Sequence, residues 1–181
     1  MKETKYSVKI IGSSPLLMNR YVEGTVEEIK VRKGDVRKRA VEDKLYLDSD
    51  GKPYIPSAYL RGSLVEAGKN VQIAGKRKAT YSKVVGSCVV IYPDAIPLKG
   101  SWKPFTITAV NPMTKGRMPV TRPKFDKWEL EFEIIATDDI PREKLAIILE
   151  EAGRYVGIGD WRPQKKGMYG KFTVSKFEET K

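Results

Sequence analysis

Alternation of apolar and polar residues opens the chain. Tyr6, Val8 and Ile10 fall on one side of residues 5 to 12 and Lys5, Ser7 and Lys9 on the other, the period of a half-buried strand. Gly12-Ser13-Ser14-Pro15 ends it, and Leu16-Leu17-Met18 is a short apolar continuation. The clearest alternation is at residues 127 to 137, where Trp128, Leu130, Phe132, Ile134 and Ala136 interleave with Glu129, Glu131, Glu133, Ile135 and Thr137. One face of that strand is core and the other mostly solvent. Residues 84 to 92 form an apolar run interrupted at Gly86-Ser87 and predict a buried strand. Residues 105 to 110 are rich in strand formers. The turn Asn111 to Gly116 returns them as an arm over Arg117 to Arg122, which Pro119 and Pro123 place at an edge or off the sheet. A last strand runs from about Lys171 to Phe177, with Phe172 and Val174 inward.

Helical spacing predicts three helices. The first runs from about Arg37 to Leu47, with Val41, Leu45 and Leu47 inward, and Asp48-Ser49-Asp50-Gly51 turns the chain after it. Tyr54-Ile55-Pro56 is extended, because a residue before proline avoids helical angles. Ser57 is the N-cap of the second, from Ala58 to about Ala67, with Leu60, Leu64 and Ala67 on one face. Asp138-Asp139 cap the third, Pro141 suits its first turn, and Leu145, Ile148, Leu149, Ala152 and Val156 form its stripe before Gly153 or Gly157 ends it. Residues 20 to 39 and 69 to 83 read as exposed, basic excursions. Without them and the hairpin, the order is β-α-β-β-α-β. This predicts an α+β, ferredoxin-like (RRM-like) core in a single domain over residues 1–181, with insertions at about 20–39, 69–83 and 100–124.

Charge then points to a class of partner. The 181 residues hold 34 Lys plus Arg against 23 Asp plus Glu, a net charge of +11 that favours polyanions. There is no histidine, which removes the commonest general acid–base group and zinc ligand. The single cysteine, Cys88, rules out an internal disulfide and reads as a small core residue. No cofactor or metal site is predicted. No apolar run approaches the roughly 20 residues that span a bilayer; a cytoplasmic location and no membrane partner follow as expectations.

Three constellations suit nucleic acid. Residues 157 to 170 combine Gly157, Gly159, Gly167 and Gly170 with Arg162, Lys165 and Lys166, and with Trp161 and Tyr169 as stacking platforms or loop closures. Glycine allows close approach of a backbone whose N–H groups bind phosphate. Lys52, Ser57 and Arg61 surround a helix N-terminus, a ready anion site. Lys115, Arg117, Arg122 and Lys124 make the hairpin a basic finger that lies across a strand. Arg20 opens the basic excursion. Carboxylates are the only acid–base groups on offer, and Asp35 is the candidate among them.

These residues resemble a family. The strand running into Ser14-Pro15-Leu16-Leu17, the segment Pro53-Tyr54-Ile55-Pro56-Ser57 opening a helix with Leu60-Arg61-Gly62-Ser63-Leu64, and the late glycine-rich loop together resemble the repeat-associated mysterious protein (RAMP) superfamily. Its members include backbone subunits and guide-processing nucleases of CRISPR effector complexes, built on ferredoxin-like folds. The likeness covers roughly residues 5 to 18, 45 to 68 and 128 to 176. It departs from the family's Gly-Ser-Ser pattern at Ser57-Ala58-Tyr59. A phage or prophage relative fits the same residues.

The resemblance implies guide-RNA binding by backbone contact, with copies of the chain or other effector subunits lining up along one strand. It places Lys52, Ser57 and Arg61 toward phosphate, with Arg162, Lys165 and Lys166 nearby. It also implies that a loop aspartate, here Asp35, would be the cutting residue if the chain cleaves. The expected function is sequence-tolerant binding of single-stranded RNA or DNA without catalysis. The alternatives are a metal-dependent endoribonuclease of the same superfamily and a phage structural or adaptor protein.

Overall fold

A computed structural model of the chain describes residues 2–21, 41–110 and 113–180. Strand β1 (Glu3–Gly12) carries the opening alternation and leads into the two-residue β2 (Leu16–Leu17). There follow β3 (Tyr54–Pro56), α1 (Ser57–Ala67), α2 (Ser82–Cys88), β4 (Val89–Tyr92), β5 (Ala95–Lys99), β6 (Trp102–Val110), β7 (Arg117–Phe125) and β8 (Glu129–Thr137). Helix α3 (Arg142–Glu151) runs on as a π turn (Ala152–Val156), and β9 (Phe172–Thr180) completes the described chain.

The main sheet has the core order β9-β1-β8-β4, with every neighbouring pair antiparallel. With α1 in the connection from β1 to β4 and α3 in that from β8 to β9, this is the ferredoxin-like α+β arrangement. β5 continues beside β8 at Leu98↔Leu130 and bends away to pair with β3. The inward residues Val8, Ile10, Leu130, Ile134, Leu60, Leu64, Leu145 and Ile148 are at most 1% exposed and form one core with both helices.

The opposite face of the sheet is open and carries a set of ion pairs, with Val90 and Tyr92 of β4 also exposed on it. There Lys9 pairs with Glu129 (3.0 Å) and Glu131 (3.2 Å), Lys99 with the same two carboxylates (3.3 and 2.9 Å), and Lys5 with Glu133 (2.7 Å). The second sheet, β2-β7-β6, is the hairpin plus its anchor. β6 and β7 pair from Trp102↔Phe125 to Val110↔Arg117, and β2 joins only at Leu16↔Phe125 and Leu17↔Lys124. The arm with Pro119 and Pro123 is therefore a strand off the main sheet.

Several expected elements differ. Within the described part of the first predicted helix there is one 3-10 turn, Glu42–Lys44, after which the chain is extended from Leu45. Leu45 is buried, but Leu47 is 39% exposed and bridges Pro53, because strand-like pairing claims the second turn of the pattern. The apolar run 84 to 92 is half helix (α2) and half strand (β4), an ambiguity that periodicity does not resolve over so few residues. Ser87 Oγ donates back to the Lys83 carbonyl at 3.0 Å, which suits a helix.

Residues 69 to 83 are not an open loop. Val71 and Tyr81 are buried and joined by a Tyr81 N–H to Val71 O bond of 3.0 Å. Neither helix cap is a side chain. Pro56 and Pro141 occupy the N-cap positions, while Ser57 is the first helical residue and Asp139 accepts from Thr137 Oγ1 (2.8 Å) instead. Proline's fixed φ sets each turn into its helix. β5 has no counterpart in the sequence reading.

Candidate nucleic-acid interface

The glycine-rich loop is held by the segment after β1. Asp160 N–H donates to Leu17 O (2.8 Å), Gly170 N–H to Pro15 O (2.8 Å) and Lys171 N–H to Ser14 Oγ (3.0 Å). Trp128 Nε1 donates to Ser14 O at 2.8 Å, so Ser14-Pro15-Leu16-Leu17 ties loop, β8 and β1 together. Two of the glycines are required by this closure. Gly159 has φ +80°, and a Cβ there would lie 2.5 Å from Leu17 O; Gly170 has φ +70° and a Cβ would collide with the Ile158 carbonyl. At these two positions the close approach that glycine allows is to the protein's own backbone.

The loop faces the first half of α1 across a cleft of about 350 Å³. Asn19, Tyr59, Gly62, Ser63, Asp160, Arg162 and Gln164 are among its walls. Tyr59 and Ser63 are four residues apart and so share a helix face. The Tyr59 hydroxyl lies 2.8 Å from that of Tyr46, and the rings meet edge-on at 5.6 Å. Burial, with this hydrogen bond second, pushes the Tyr59 phenol above its ordinary value, so it stays neutral. Ser63 is 4% exposed, and its Oγ is the only buried side-chain polar atom without a partner among the described residues. Such an orphan costs about 1–3 kcal/mol.

Arg162 is preset at the rim. Its Nε donates to Gln164 Oε1 (3.0 Å) and its Nη1 to Gly159 O (3.0 Å). Lys165 ends a 3-10 turn and Lys166 follows it; both are exposed, with no ion pair among the described residues. Trp161 (φ +50°) and Tyr169 are half-buried; Tyr169 N–H donates to Trp161 O, and its ring meets Phe105 of the hairpin at 6.2 Å. Tyr169 thus closes the loop onto β6.

The other sequence candidates divide. Arg122 reaches the loop, but its Nε bonds Asp160 Oδ2 at 2.8 Å, with side chains only 14% and 26% exposed. Lys124 pairs with Asp126 (3.0 Å) and sits 4.4 Å over the Phe105 ring. Arg61 points away from the cleft and donates to the Gly86 carbonyl. Ser57 Oγ is 3.4 Å from Asp94 Oδ1, and Lys52 lies in the turn whose N–H groups Asp48 holds. Lys115 and Arg117 are exposed at the hairpin tip, five register steps from Arg122, about 17 Å along the strand. Arg20 donates its N–H to Lys44 O near the hairpin base. Asp35 lies outside the described residues. Among the described residues no cluster of His, Cys, Asp or Glu could hold a metal ion, and no helix is long and apolar enough to cross a membrane.

The sequence reading missed Tyr59, Ser63, Asp160 and Gln164. Ser63 beside the apolar Leu60–Leu64–Ala67 stripe was the available signal, since a buried hydroxyl needs a partner.

Comparison with solved structures fits this architecture. A chain in the cryo-EM structure of the Type III-B Cmr-beta bound to cognate target RNA superposes with TM-score 0.60 at 19% identity, covering 99% of this chain and 61% of that one. This chain shares the fold of that neighbour. It spans about three-fifths of that neighbour's length. The crystal structure of Cmr6 from Pyrococcus furiosus matches at TM-score 0.46 and 14% identity, covering 96% of this chain and 99% of that one. No family model matches the sequence, and no curated protein does.

Proposed function

We propose that this RAMP-type chain binds single-stranded RNA along the rim formed by the first half of α1 and the loop 157 to 170, as a subunit of a CRISPR-type effector assembly. The observation that carries this reading is the convergence, beside one cleft, of a preset Arg162, the exposed pair Lys165 and Lys166, and a helix start that no side chain caps. Uncapped N–H groups and fixed cations both suit phosphate. The fold neighbour whose structure holds target RNA supports the choice of RNA.

The open sheet face suits phosphate less well. Its carboxylates Glu129, Glu131 and Glu133 would repel phosphate, and its lysines are already paired with them. Copies of the chain or other subunits would continue the strand past each rim.

Fluorescence polarisation with a labelled oligouridylate tests the reading. Three phosphate contacts predict a slope of log K against log salt of about −2 for a single strand, or roughly 20-fold weaker binding at 200 mM than at 50 mM. The variant Lys165→Ala/Lys166→Ala should lower affinity and flatten the slope by more than one. An unchanged slope in that variant refutes the rim as the phosphate track.

A further inference from the structure

The cleft beneath the rim holds groups that phosphate binding does not use. It is at the small end of ligand pockets, roughly 300–1,000 Å³, and its mouth opens beside the cations. We infer that it takes one nucleobase of the bound strand, and that guanine is the base its groups match; this rests on the proposed RNA rim.

Two walls define the fit. On the helix side, the Tyr59 ring is locked by the Tyr46 hydroxyl, and Tyr46 is in turn packed on Tyr54 at 5.6 Å. A braced aromatic face is a stacking platform for any base. The orphaned Ser63 hydroxyl sits one helical turn further on, able to donate or accept. On the loop side, each oxygen of Asp160 already accepts one bond, Oδ2 from Arg122 Nε (2.8 Å) and Oδ1 from the Trp161 N–H (3.0 Å). One lone pair on each oxygen remains, giving two acceptors side by side. Among the four bases only guanine presents two adjacent donors on different atoms, N1–H and the N2 amino group. Its O6 and N7 acceptors suit arginine. Arg162, with Nε and Nη1 committed, retains Nη2 donors beside Asp160. The ion pair to Arg122 neutralises Asp160, so the carboxylate can sit close to a phosphate track.

The test compares a uridine 12-mer with the same strand carrying a single central guanosine, adenosine or cytidine, on the full chain at fixed salt. The guanosine strand should bind about 10-fold tighter than oligouridylate, and adenosine and cytidine strands within about threefold of it. Gly62→Leu places a side chain in the cleft, since a Cβ at Gly62 meets no atom within 4 Å. It should bring the guanosine-to-uridine affinity ratio to within twofold of one, with its fold checked by circular dichroism. Ser63→Ala reports on the orphan hydroxyl in an unblocked cleft and should lower that ratio about fivefold without lowering the unfolding midpoint. Equal affinity for all four strands overturns the guanine cleft while leaving the phosphate rim standing. Failure of the wild-type chain to bind any of them overturns both.

Discussion

The pair Arg122–Asp160 decides between two roles for an arginine that the sequence assigns to RNA. In the structure its guanidinium is spent on a carboxylate across the junction of hairpin and loop, 2.8 Å away with both side chains mostly buried. At an effective dielectric constant near 20 the bare attraction over that distance is about 6 kcal/mol, most of it offset by desolvation. What survives should resemble a charge-assisted hydrogen bond, about 1.5–3 kcal/mol. A double-mutant cycle of Arg122→Met and Asp160→Asn, read by urea unfolding, should therefore return a coupling of about 1.5 kcal/mol. The binding assay on oligouridylate carries the sharper distinction. Arg122→Met leaves a bare carboxylate beside the phosphate path and should weaken binding several-fold, and adding Asp160→Asn should restore most of that loss. A coupling within about 0.5 kcal/mol of zero, or a double variant as weak as Arg122→Met, would show that Arg122 touches phosphate itself and that the pairing is incidental.

Three further outcomes follow from local geometry. Gly159→Ala should destabilise the fold by more than about 2 kcal/mol in urea unfolding, because its φ of +80° is joined to a Cβ position 2.5 Å from Leu17 O. Gly62→Ala should stabilise by about 1 kcal/mol, seen as a higher melting temperature, because this helical glycine has open space around it. Hydrogen bonds from Lys9 and Lys99 hold the Glu129 and Glu131 carboxyls below their ordinary values, so their stabilising effect is full above about pH 4.5 and fades as pH falls through the lowered values. The variant Glu129→Gln/Glu131→Gln should then lose less stability than the wild type between pH 5 and pH 2.5 in thermal melts.

The parts of the fold legible in the sequence are those where one face of an element is buried and the other wet. β1, β8 and α3 carry long, unbroken periods, and their inward residues are the core. Reading failed where an element is short or buried on more than one side. α2 and β4 share one apolar run of which neither owns a full period. β5 is five residues with Pro97 inside it, and 41–47 has one turn of helical spacing before pairing takes over. The caps failed for a related reason: Ser57 and Asp139 look like caps from sequence, yet the preceding prolines fix the turn geometry. The basic loop was legible as a surface. The tasks of its residues were not, since composition counts Arg122 and Arg61 as charge while their partners, Asp160 and the Gly86 carbonyl, are distant in sequence.

That difference between charge carried and charge free explains why the proposed RNA track lies at the sheet's end rather than on its surface. A ferredoxin-like sheet covered by helices on one side has a second face that other proteins fill with aromatic residues for stacking bases. Here the period of β1 and β8 puts lysines and glutamates on that face, and the antiparallel register sets Lys9 opposite Glu131. Each lysine there meets a carboxylate before it can meet phosphate, so little net positive potential remains above the strands. At the loop the balance differs, because Asp160 is matched by Arg122, and the Glu66 carboxylate that Lys165 senses is already paired with Lys69 at 2.6 Å, while Arg162 and Lys166 have no carboxylate of their own among the described ion pairs. A strand drawn in by the overall charge of +11 would settle where cations are unmatched, and that condition is met beside the one cleft with an unpartnered hydroxyl in its wall.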